Sequence, residues 1–238
     1  MELVLNDLYD YKNMKIYQYR GAFKFSLDSI LLAEYVKLQP KTLNILDICS
    51  GNCAVPLILS TKTDAYIDAF EIQAKIYEIA QKSIEYNKLD DRIKLYNCDA
   101  LEIDTVVKNK KYDIITCNPP YFKVEENNHI NVTEELAIAR HELKISLEDI
   151  FRISSMHLDD KGELYLVHRV QRLDEIIILG NKYRLNVKNI QLIKTKANGV
   201  PYIVLVRCVK NSKLGIKIND IINIEHYDSY QDMFKEEK

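Results

Sequence analysis

The stretch Tyr112-Asp113-Ile114-Ile115-Thr116-Cys117-Asn118-Pro119-Pro120-Tyr121-Phe122 joins an apolar run to a pair of prolines. The apolar run is typical of a buried strand. That strand must end at Asn118, because Pro119 and Pro120 have no N–H group to donate to a sheet or a helix. A residue before proline is restricted to extended or turn conformations, so the backbone of Asn118 is also confined. The stretch therefore predicts a rigid peptide at the end of a strand.

This rigid peptide, from Asn118 to Tyr121, combines an amide side chain, free backbone carbonyls and an aromatic ring. A flat molecule with an amino group would fit such a site. The amide and a carbonyl would accept from the amino group, and the ring would cover the face of the molecule. The alternative is a loop that only stops the strand, and the tetrapeptide alone does not decide between the two.

Strands and helices alternate on the N-terminal side of this peptide. A first helix, which Ser26 or Asp28 would cap, ends near Pro40. The elements predicted after it are strands at Asn44–Cys49, Ala65–Phe70, Arg92–Asn97 and Tyr112–Cys117, with helices at Ala54–Thr61 and Gln73–Lys88. Such alternation predicts an α/β fold with a parallel, doubly wound sheet.

The C-terminal half continues the pattern and then changes it. The elements predicted there are a capping box at Ser146–Asp149 with its helix to about Leu158, a turn at Asp160–Gly162, a fifth strand at Glu163–His168, a helix from Leu173 that ends at Gly180, and two strands at Val187–Lys194 and Tyr202–Val209. Only a short turn, Ala197–Pro201, separates the last two strands, so they should form an antiparallel hairpin. The whole sheet should have seven strands.

Composition limits the classes of protein that remain. The chain has 238 residues, of which 47% are hydrophobic and 29% charged, and this suits one large domain with a sizeable core. No apolar run approaches the roughly 20 residues that span a bilayer. The N-terminus lacks the features of a signal peptide. We therefore expect a cytoplasmic protein without a membrane partner.

The five cysteines, Cys49, Cys53, Cys98, Cys117 and Cys208, are odd in number and lie mostly in apolar contexts. We expect reduced, buried thiols. No His or second Cys pair accompanies Cys49 and Cys53, so the sequence predicts no metal site. The net charge of −2 does not exclude a nucleic-acid partner, because binding depends on local basic patches.

Polar residues follow each of the first four predicted strands. They are Ser50 to Asn52, Glu71, Asp99, and Asn118 to Tyr121, and Asp47 lies inside the first strand near the same end. Ligands of doubly wound sheets bind at the carboxyl ends of the strands. Four polar positions in succession along one sheet edge therefore predict a binding site, with the Asn118 peptide as its fourth member.

The types of these residues indicate the ligand. A carboxylate such as Glu71, after the second strand, suits the two hydroxyls of a ribose. Asp99 would accept from an adenine amino group. The turn after the first strand has a single glycine, Gly51, and the G-x-G-x-x-G pattern that suits a pyrophosphate is absent. An adenosine without phosphate fits better, and S-adenosyl-L-methionine meets that description.

The motif Ile45-Leu46-Asp47-Ile48-Cys49-Ser50-Gly51-Asn52-Cys53, with Glu71, Asp99 and Asn118-Pro119-Pro120-Tyr121, resembles the successive motifs of class I S-adenosylmethionine-dependent methyltransferases. Phe25-Ser26-Leu27-Asp28 is similar to the segment that closes over the methionine end of the cofactor. With Ala139-Arg140-His141-Glu142 and Tyr165-Leu166-Val167-His168-Arg169, the chain resembles the bacterial tRNA (adenine-N6)-methyltransferases that modify adenosine 37 of a valine tRNA. The resemblance extends from about Tyr19 to about Val209. Cys53 departs from it, because related sequences usually have a small residue there, often glycine.

The resemblance implies a Rossmann-like fold and methyl transfer to N6 of an adenosine in the anticodon loop of tRNA, with S-adenosyl-L-homocysteine as product. The residues that it assigns to catalysis are Asn118, Pro119 and Tyr121, and those that it assigns to the cofactor are Phe25, Asp28, Asp47, Ser50, Gly51, Glu71, Asp99 and Asn118. We expect residues 1–40 to cover the cofactor site, 41–210 to form the methyltransferase domain and 211–238 to form a tail. A monomer or weak dimer is expected.

A loop, a pair of residues and two basic groups are candidates for supporting roles. Residues 123–133 are polar and without periodicity, which suits a lid over the substrate. Arg140 and His141 would contact RNA or brace that loop. Two basic groups are candidates for RNA contact, with a solvated face as the default for each: Lys12, Lys15, Arg20 and Lys24 among the N-terminal tyrosines, and Lys182, Arg184, Lys188, Lys194 and Lys196 near the last strands.

Other functions remain open. Protein glutamine methyltransferases carry the same Asn-Pro-Pro-Tyr, but they usually have a helical substrate domain for which the 46 residues before Asp47 leave too little room. A guanine-N2 rRNA methyltransferase is chemically similar. A methyltransferase fold that only binds RNA is the non-enzymatic alternative, against which the intact Asp47, Glu71, Asp99 and Asn118 argue. No insertion suits the target-recognition domain of a DNA adenine methyltransferase.

Overall fold

Nine strands form the central sheet of the computed structural model, which describes residues 2–8, 11, 13–20, 27–120, 145–196, 199–227 and 229–234. Those nine strands are β3 (Asn44–Ile48), β4 (Tyr66–Glu71), β5 (Ile93–Asn97), β6 (Tyr112–Cys117), β7 (Leu158–Arg169), β8 (Leu185–Lys194), β9 (Ile203–Lys210), β10 (Lys217–Ile218) and β11 (Ile222–Asn223), and two more, β1 (Leu3–Asp7) and β2 (Lys15–Tyr19), form a separate two-stranded sheet. The described α-helices are α1 (Leu27–Tyr35), α2 (Ala54–Ser60), α3 (Ala74–Tyr86), α4 (Ile103–Val106), α5 (Leu147–His157) and α6 (Leu173–Lys182).

The strand order in the sheet is β10-β8-β9-β7-β6-β3-β4-β5, with β11 also paired to β8. Strands β3 to β7 are parallel to one another, and β9 runs antiparallel to both β7 and β8. The predicted α/β fold and its antiparallel hairpin are therefore confirmed. The predicted count of seven strands is wrong, because β10 and β11 add to the outer edge of β8. Two residues are too few for either strand to show an alternating pattern.

Apolar side chains cover both faces of this sheet. One core cluster joins α1, α2 and α3 to one face through residues such as Ile30, Leu57 and Ile84. The other joins α4, α5 and α6 to the opposite face through residues such as Phe151 and Ile176. Full burial of such a side chain is worth about 1.5–3 kcal/mol. Helices on both faces explain why β3 and β6 read as continuous apolar runs.

The start of α5 confirms the predicted capping box. Ser146 Oγ accepts from the N–H of Asp149 at 3.1 Å, and Asp149 Oδ2 accepts from the N–H of Ser146 at 3.2 Å. The end of α6 does not match its prediction, because the helix continues through Gly180 to Lys182. A Cβ at Gly180 would lie 2.7 Å from the carbonyl oxygen of Leu185. The glycine therefore allows close approach to β8, and it does not end the helix.

The segment expected as a turn at Asp160–Gly162 lies inside β7. The pairing of β6 and β7 changes register there, from Tyr112 opposite Leu158 to Ile114 opposite Glu163. Lys161 has a φ of 63°, in the left-handed region. The turn residues thus form an irregularity within one long strand, and they do not separate it from α5.

An N-terminal hairpin, β1 and β2, packs on α3. The N–H of Tyr17 donates to Ser83 Oγ at 3.0 Å, and Asn87 bonds the backbone N–H and carbonyl of Lys15. Lys15 pairs with Asp7, and Arg20 pairs with Glu2. This tyrosine-rich segment is thus joined to the domain through β2. Lys12 and Lys24 lie outside the described residues.

None of the helices in the described part of the chain has the length and apolar character needed to cross a membrane. All five cysteines are free thiols. Within the described ranges, no three His, Cys, Asp or Glu side chains are arranged to hold a metal ion.

Candidate active site

The carboxyl ends of β3, β4 and β6 bring three of the predicted polar positions side by side. Ile48 at the end of β3 pairs with Phe70 of β4 and with Cys117 of β6. The residues that follow these three partners are the Cys49–Cys53 turn, Glu71 and Asn118. The arrangement of the strands therefore brings these polar positions to one sheet edge, with β3 at the centre, and their role as a binding site stays a prediction.

Glu71 is tied to the backbone of two neighbouring segments. Its Oε2 accepts from the N–H of Gly51 at 2.9 Å, and its Oε1 accepts from the N–H of Gln73 at 2.8 Å. The side chain is only 4% exposed. Burial raises the pKa of the Glu71 carboxyl, and the hydrogen bonds from Gln73 and Gly51 oppose this shift. Each carboxylate oxygen has a further lone pair, so both can still accept from a ligand hydroxyl.

The turn from Cys49 to Cys53, hereafter the glycine turn, has three residues with left-handed backbone angles. Cys49, Gly51 and Cys53 have φ values of 61°, 55° and 63°. A Cβ built on Gly51 would meet no atom within 4 Å, so the space beside the turn is open to a ligand. Cys53 is fully buried before α2. A left-handed angle costs a side chain about 1–2 kcal/mol, so the backbone at Cys53 would suit a glycine.

Asp47 is a buried carboxylate in β3 with one oxygen unused. Thr116 Oγ1 of β6 donates to Asp47 Oδ1 at 2.5 Å, whereas Oδ2 has no hydrogen-bond partner among the described residues. The residue is 2% exposed. Burial raises the pKa of Asp47 to about 7, against the lowering effect of Thr116 and Ser50. A donor on a ligand would satisfy the unused oxygen.

Ser50 and Asp99 have local roles in the backbone. Ser50 Oγ donates to the carbonyl oxygen of Asp47 at 3.0 Å, which holds the start of the glycine turn. Asp99 Oδ1 accepts from the N–H of Leu101 at 2.9 Å and caps the short helical turn Ala100–Glu102. Asp99 keeps further lone pairs on both carboxylate oxygens, so the cap leaves it able to accept from an adenine amino group. This contact stays a prediction.

Asn118 follows β6 and is half-buried, and Pro119 is buried. Asn118 Nδ2 donates to Ser29 Oγ of α1 at 3.0 Å. The peptide from Asn118 to Pro120, hereafter the clamp peptide, thus contacts the first turn of α1. Tyr121, the ring predicted to stack on the substrate, lies outside the described residues, as do residues 123–133, Arg140 and His141.

Asp28 lies in the same turn of α1 and is buried, with 7% of its surface exposed. Its Oδ2 is 3.9 Å from Nη1 of Arg169, which ends β7. The guanidinium of Arg169 lies over the ring of Tyr202, 5.0 Å from its centroid. The first turn of α1 is thus anchored to β7 as well as to the clamp peptide. Phe25 and Ser26, the other predicted members of this segment, lie outside the described residues.

Sequence reasoning did not select Ser29, Thr116 or Arg169 as site residues. Thr116 could have been selected from the sequence, since a polar residue inside a buried strand needs a hydrogen-bond partner. Ser29 could not, because nothing in the sequence distinguishes it from a residue on a helix surface. Arg169 was included in the family resemblance, but no pattern indicated its contacts with Asp28 and Tyr202.

The basic residues near the last strands do not form one patch. Lys182 pairs with Glu148, and Lys188 donates to the carbonyl oxygens of Lys213 and Gly215. Lys194 ends β8, which runs parallel to β7, and so lies at the same sheet edge as the clamp peptide. Among these residues, Lys194 and Lys196 therefore lie at the sheet edge that carries the candidate site, with β9 and β7 between β8 and β6.

The sheet has the glycine turn after β3, the buried Glu71 at the end of β4 and the Asn-Pro-Pro peptide after β6. This combination defines a Rossmann-like methyltransferase. The model of the methyltransferase small domain matches residues 14–189. This match covers most of the chain, and the protein belongs to the methyltransferase small domain family.

Two curated relatives are similar over most of their length. One from Flavobacterium psychrophilum is 27% identical over 190 residues, which cover 79% of this chain and 79% of the relative. One from Trichodesmium erythraeum is 30% identical over 195 residues, which cover 78% of this chain and 80% of the relative. Both are named tRNA1(Val) (adenine(37)-N6)-methyltransferase. The resemblance drawn from the motifs is thus confirmed.

Solved structures are similar in fold. A predicted O-methyltransferase from Agrobacterium tumefaciens has a TM-score of 0.66 and 20% identity, with 83% of this chain and 88% of that chain covered. A methyltransferase from Pyrococcus furiosus has a TM-score of 0.60 and 18% identity, with 85% and 92% covered. At these identities the likeness concerns the fold alone.

Proposed function

We propose that this protein transfers a methyl group from S-adenosyl-L-methionine to the exocyclic N6 of an adenosine in tRNA, and that the nucleotide is adenosine 37 beside the anticodon of a valine tRNA. The observation that carries the proposal is the position of Asn118. It directly follows β6, the strand next to β3, so it lies at the same sheet edge as the glycine turn that Glu71 holds. The nucleotide and the tRNA are proposed from the names of the relatives.

The described residues fit the cofactor. The open space beside Gly51 would take the adenosine, and Glu71 has lone pairs left for the two ribose hydroxyls. The unused Oδ2 of Asp47 is an acceptor for a donor group of the cofactor. Burial of that oxygen without a partner costs free energy, which a bound donor would recover. When bound, the cofactor supplies an electrophilic methyl group on a sulfonium.

The clamp peptide would capture the amino group of the target base. An exocyclic adenine nitrogen is a poor nucleophile, because its lone pair is delocalised into the ring. If Asn118 Oδ1 and the Pro119 carbonyl each accept one N–H, the nitrogen moves towards tetrahedral geometry. Its lone pair then becomes available to the methyl carbon. In this proposal the protein acts mainly by positioning and electrostatics.

The remaining steps need few groups from the protein. Stacking of Tyr121 on the base would contribute about 1–3 kcal/mol. Transfer would form the new N–C bond as the S–C bond breaks, leave the electron pair on the sulfur, and release a proton from the methylated nitrogen to water. The products are N6-methyladenosine and S-adenosyl-L-homocysteine. The adenine must leave its stack, which is cheapest in an unpaired loop.

The test is an incubation of the purified protein with methyl-labelled S-adenosylmethionine and, separately, total tRNA, rRNA, DNA or a release factor. Nucleoside or amino-acid analysis of the labelled product identifies the methylated atom. The proposal predicts label in tRNA as N6-methyladenosine. Label as N2-methylguanosine in rRNA would instead indicate a guanine-N2 rRNA methyltransferase. Label as methylglutamine in protein would indicate a protein glutamine methyltransferase.

A further inference from the structure

Ser29 and Asn118 are 89 positions apart in the chain and are joined by a hydrogen bond. Asn118 Nδ2 donates to Ser29 Oγ at 3.0 Å, and both side chains are half-buried. Ser29 belongs to the first turn of α1, and Asn118 follows β6. The contact therefore links the helix at the N-terminal side of the domain to the residue that is proposed to hold the target nitrogen.

The orientation of the Asn118 amide matters for its proposed role. An asparagine side chain has an accepting oxygen at one end and a donating NH₂ group at the other. Only the oxygen can accept from the amino group of a base. If the amide turned over, its NH₂ group would face the N–H groups of the substrate, and two donors would meet.

We propose that Ser29 is a positioning residue that fixes the amide of Asn118 with its NH₂ group on α1, which is the orientation in which its oxygen would accept from the target nitrogen. This inference rests on the proposed function. Ser29 acts through Asn118 and does not itself touch the substrate. By favouring one orientation before the substrate arrives, Ser29 removes a reorganisation step from the reaction.

The anchoring of α1 makes this contact a fixed one. Asp28, next to Ser29, is buried and lies 3.9 Å from Arg169, and Ile30 on the other side is buried in the core. Arg169 is in turn stacked on Tyr202. Ser29 is therefore held between two buried neighbours, and its hydroxyl offers Asn118 an acceptor at a defined place.

Two variants of nearly equal shape test the inference. Ser29→Thr keeps the hydroxyl, and Ser29→Val replaces it with a methyl group on the same β-branched frame. We expect Ser29→Val to lower kcat about tenfold, the factor that one ordinary hydrogen bond provides. We expect Ser29→Thr to stay within about twofold of the wild type in kcat, and both variants to keep KM for tRNA and Kd for S-adenosylhomocysteine within about twofold.

Three results would overturn the inference: kcat unchanged in Ser29→Val, kcat lowered equally in both variants, or an effect on KM alone. A folding defect from the β-branched side chain would affect both variants, so the Thr variant controls for it.

A second measurement needs neither substrate nor turnover. The side-chain amide signals of Asn118 are identified in a ¹⁵N–¹H spectrum by their absence in Asn118→Asp. We expect solvent exchange of these protons to be at least about tenfold faster in Ser29→Val than in the wild type, and unchanged in Ser29→Thr. Equal exchange in all three proteins would show that Ser29 does not hold the amide. If the wild type methylates no tRNA, the proposed function fails, and this spectrum still reports on the Ser29 contact separately.

Discussion

The carboxylate of Glu71 holds the backbone of Gly51, because Glu71 Oε2 accepts from the Gly51 N–H at 2.9 Å. The other oxygen, Oε1, accepts from the N–H of Gln73 at 2.8 Å. The side chain proposed to bind the ribose therefore also holds the glycine turn against the end of β4. Cofactor binding and the shape of the turn depend on the same charged group.

Glu71→Gln should weaken the binding of S-adenosylhomocysteine by about tenfold or more. An amide has one accepting oxygen in place of two, so a backbone N–H or a ribose hydroxyl loses its acceptor. Calorimetric titration measures the Kd. Glu102→Gln, an exposed change after β5, is the matched control and should leave the Kd unaltered. Equal affinity of the Glu71 variant and the wild type would count against the ribose role.

Asn118→Ala should remove methyl transfer and spare cofactor binding. Loss of a preorganised polar group at the reacting centre lowers kcat by about 10²–10³-fold or more. The Kd for S-adenosylhomocysteine should stay within a few fold, because most of the proposed cofactor contacts come from the ends of β3 and β4. Single-turnover assays and calorimetry measure the two quantities. Turnover at the wild-type rate would exclude Asn118 as the catalytic residue.

Asp47 should make stability depend on pH. Burial raises its pKa to about 7 in the folded protein, whereas an unfolded chain has a value near 3.9. Between these values the folded state holds a proton that the unfolded state has lost, so the contribution of Asp47 to stability falls as pH rises from about 4 to about 7.

The measurement is urea unfolding of the wild type and Asp47→Asn at pH 5 and pH 8. Each pKa unit corresponds to about 1.4 kcal/mol. Between pH 5 and pH 8, the free energy of unfolding should therefore fall by at least about 1 kcal/mol more in the wild type than in Asp47→Asn. The variant controls for all other titrating groups. Equal pH dependence of the two proteins would mean that Asp47 has an ordinary pKa.

Gly180→Ala should destabilise the protein although alanine is the better helix former. The new Cβ would lie 2.7 Å from the Leu185 carbonyl oxygen, so α6 and β8 would have to separate. We expect the free energy of unfolding to fall by about 1 kcal/mol or more, after the gain in helix propensity is included. Asn181→Ala, at an exposed position of the same helix, is the control and should be neutral or slightly stabilising. A variant as stable as the wild type would show that the helix can shift at no cost.

The parts of the fold that could be predicted are those with a local signal. β3 and β6 are apolar runs that end in turn residues, β5 alternates apolar and polar residues, and Ser146 and Asp149 form a cap that is readable within one turn of helix. Positions at the carboxyl ends of parallel strands meet by topology, so Glu71 and Asn118 could be placed at one edge without any knowledge of contacts.

The parts that could not be predicted depend on distant contacts or on very short elements. The hydrogen bond from Asn118 to Ser29 joins positions 89 apart in the chain, and no pattern in the sequence indicates it. Gly180 has a sequence context that favours a helix end, and only the nearby Leu185 carbonyl explains its role. β10 and β11 take their pairing from β8, since two residues have little strand preference of their own.

The most direct test of the central claim compares two transcripts of a valine tRNA, one with adenosine at position 37 and one with guanosine there. Both are incubated with the protein and labelled S-adenosylmethionine, and the products are digested to nucleosides. The account predicts N6-methyladenosine from the first transcript, none from the second, and none from either with Asn118→Ala. Equal labelling of the two transcripts, or label on a nucleoside other than adenosine, would contradict it.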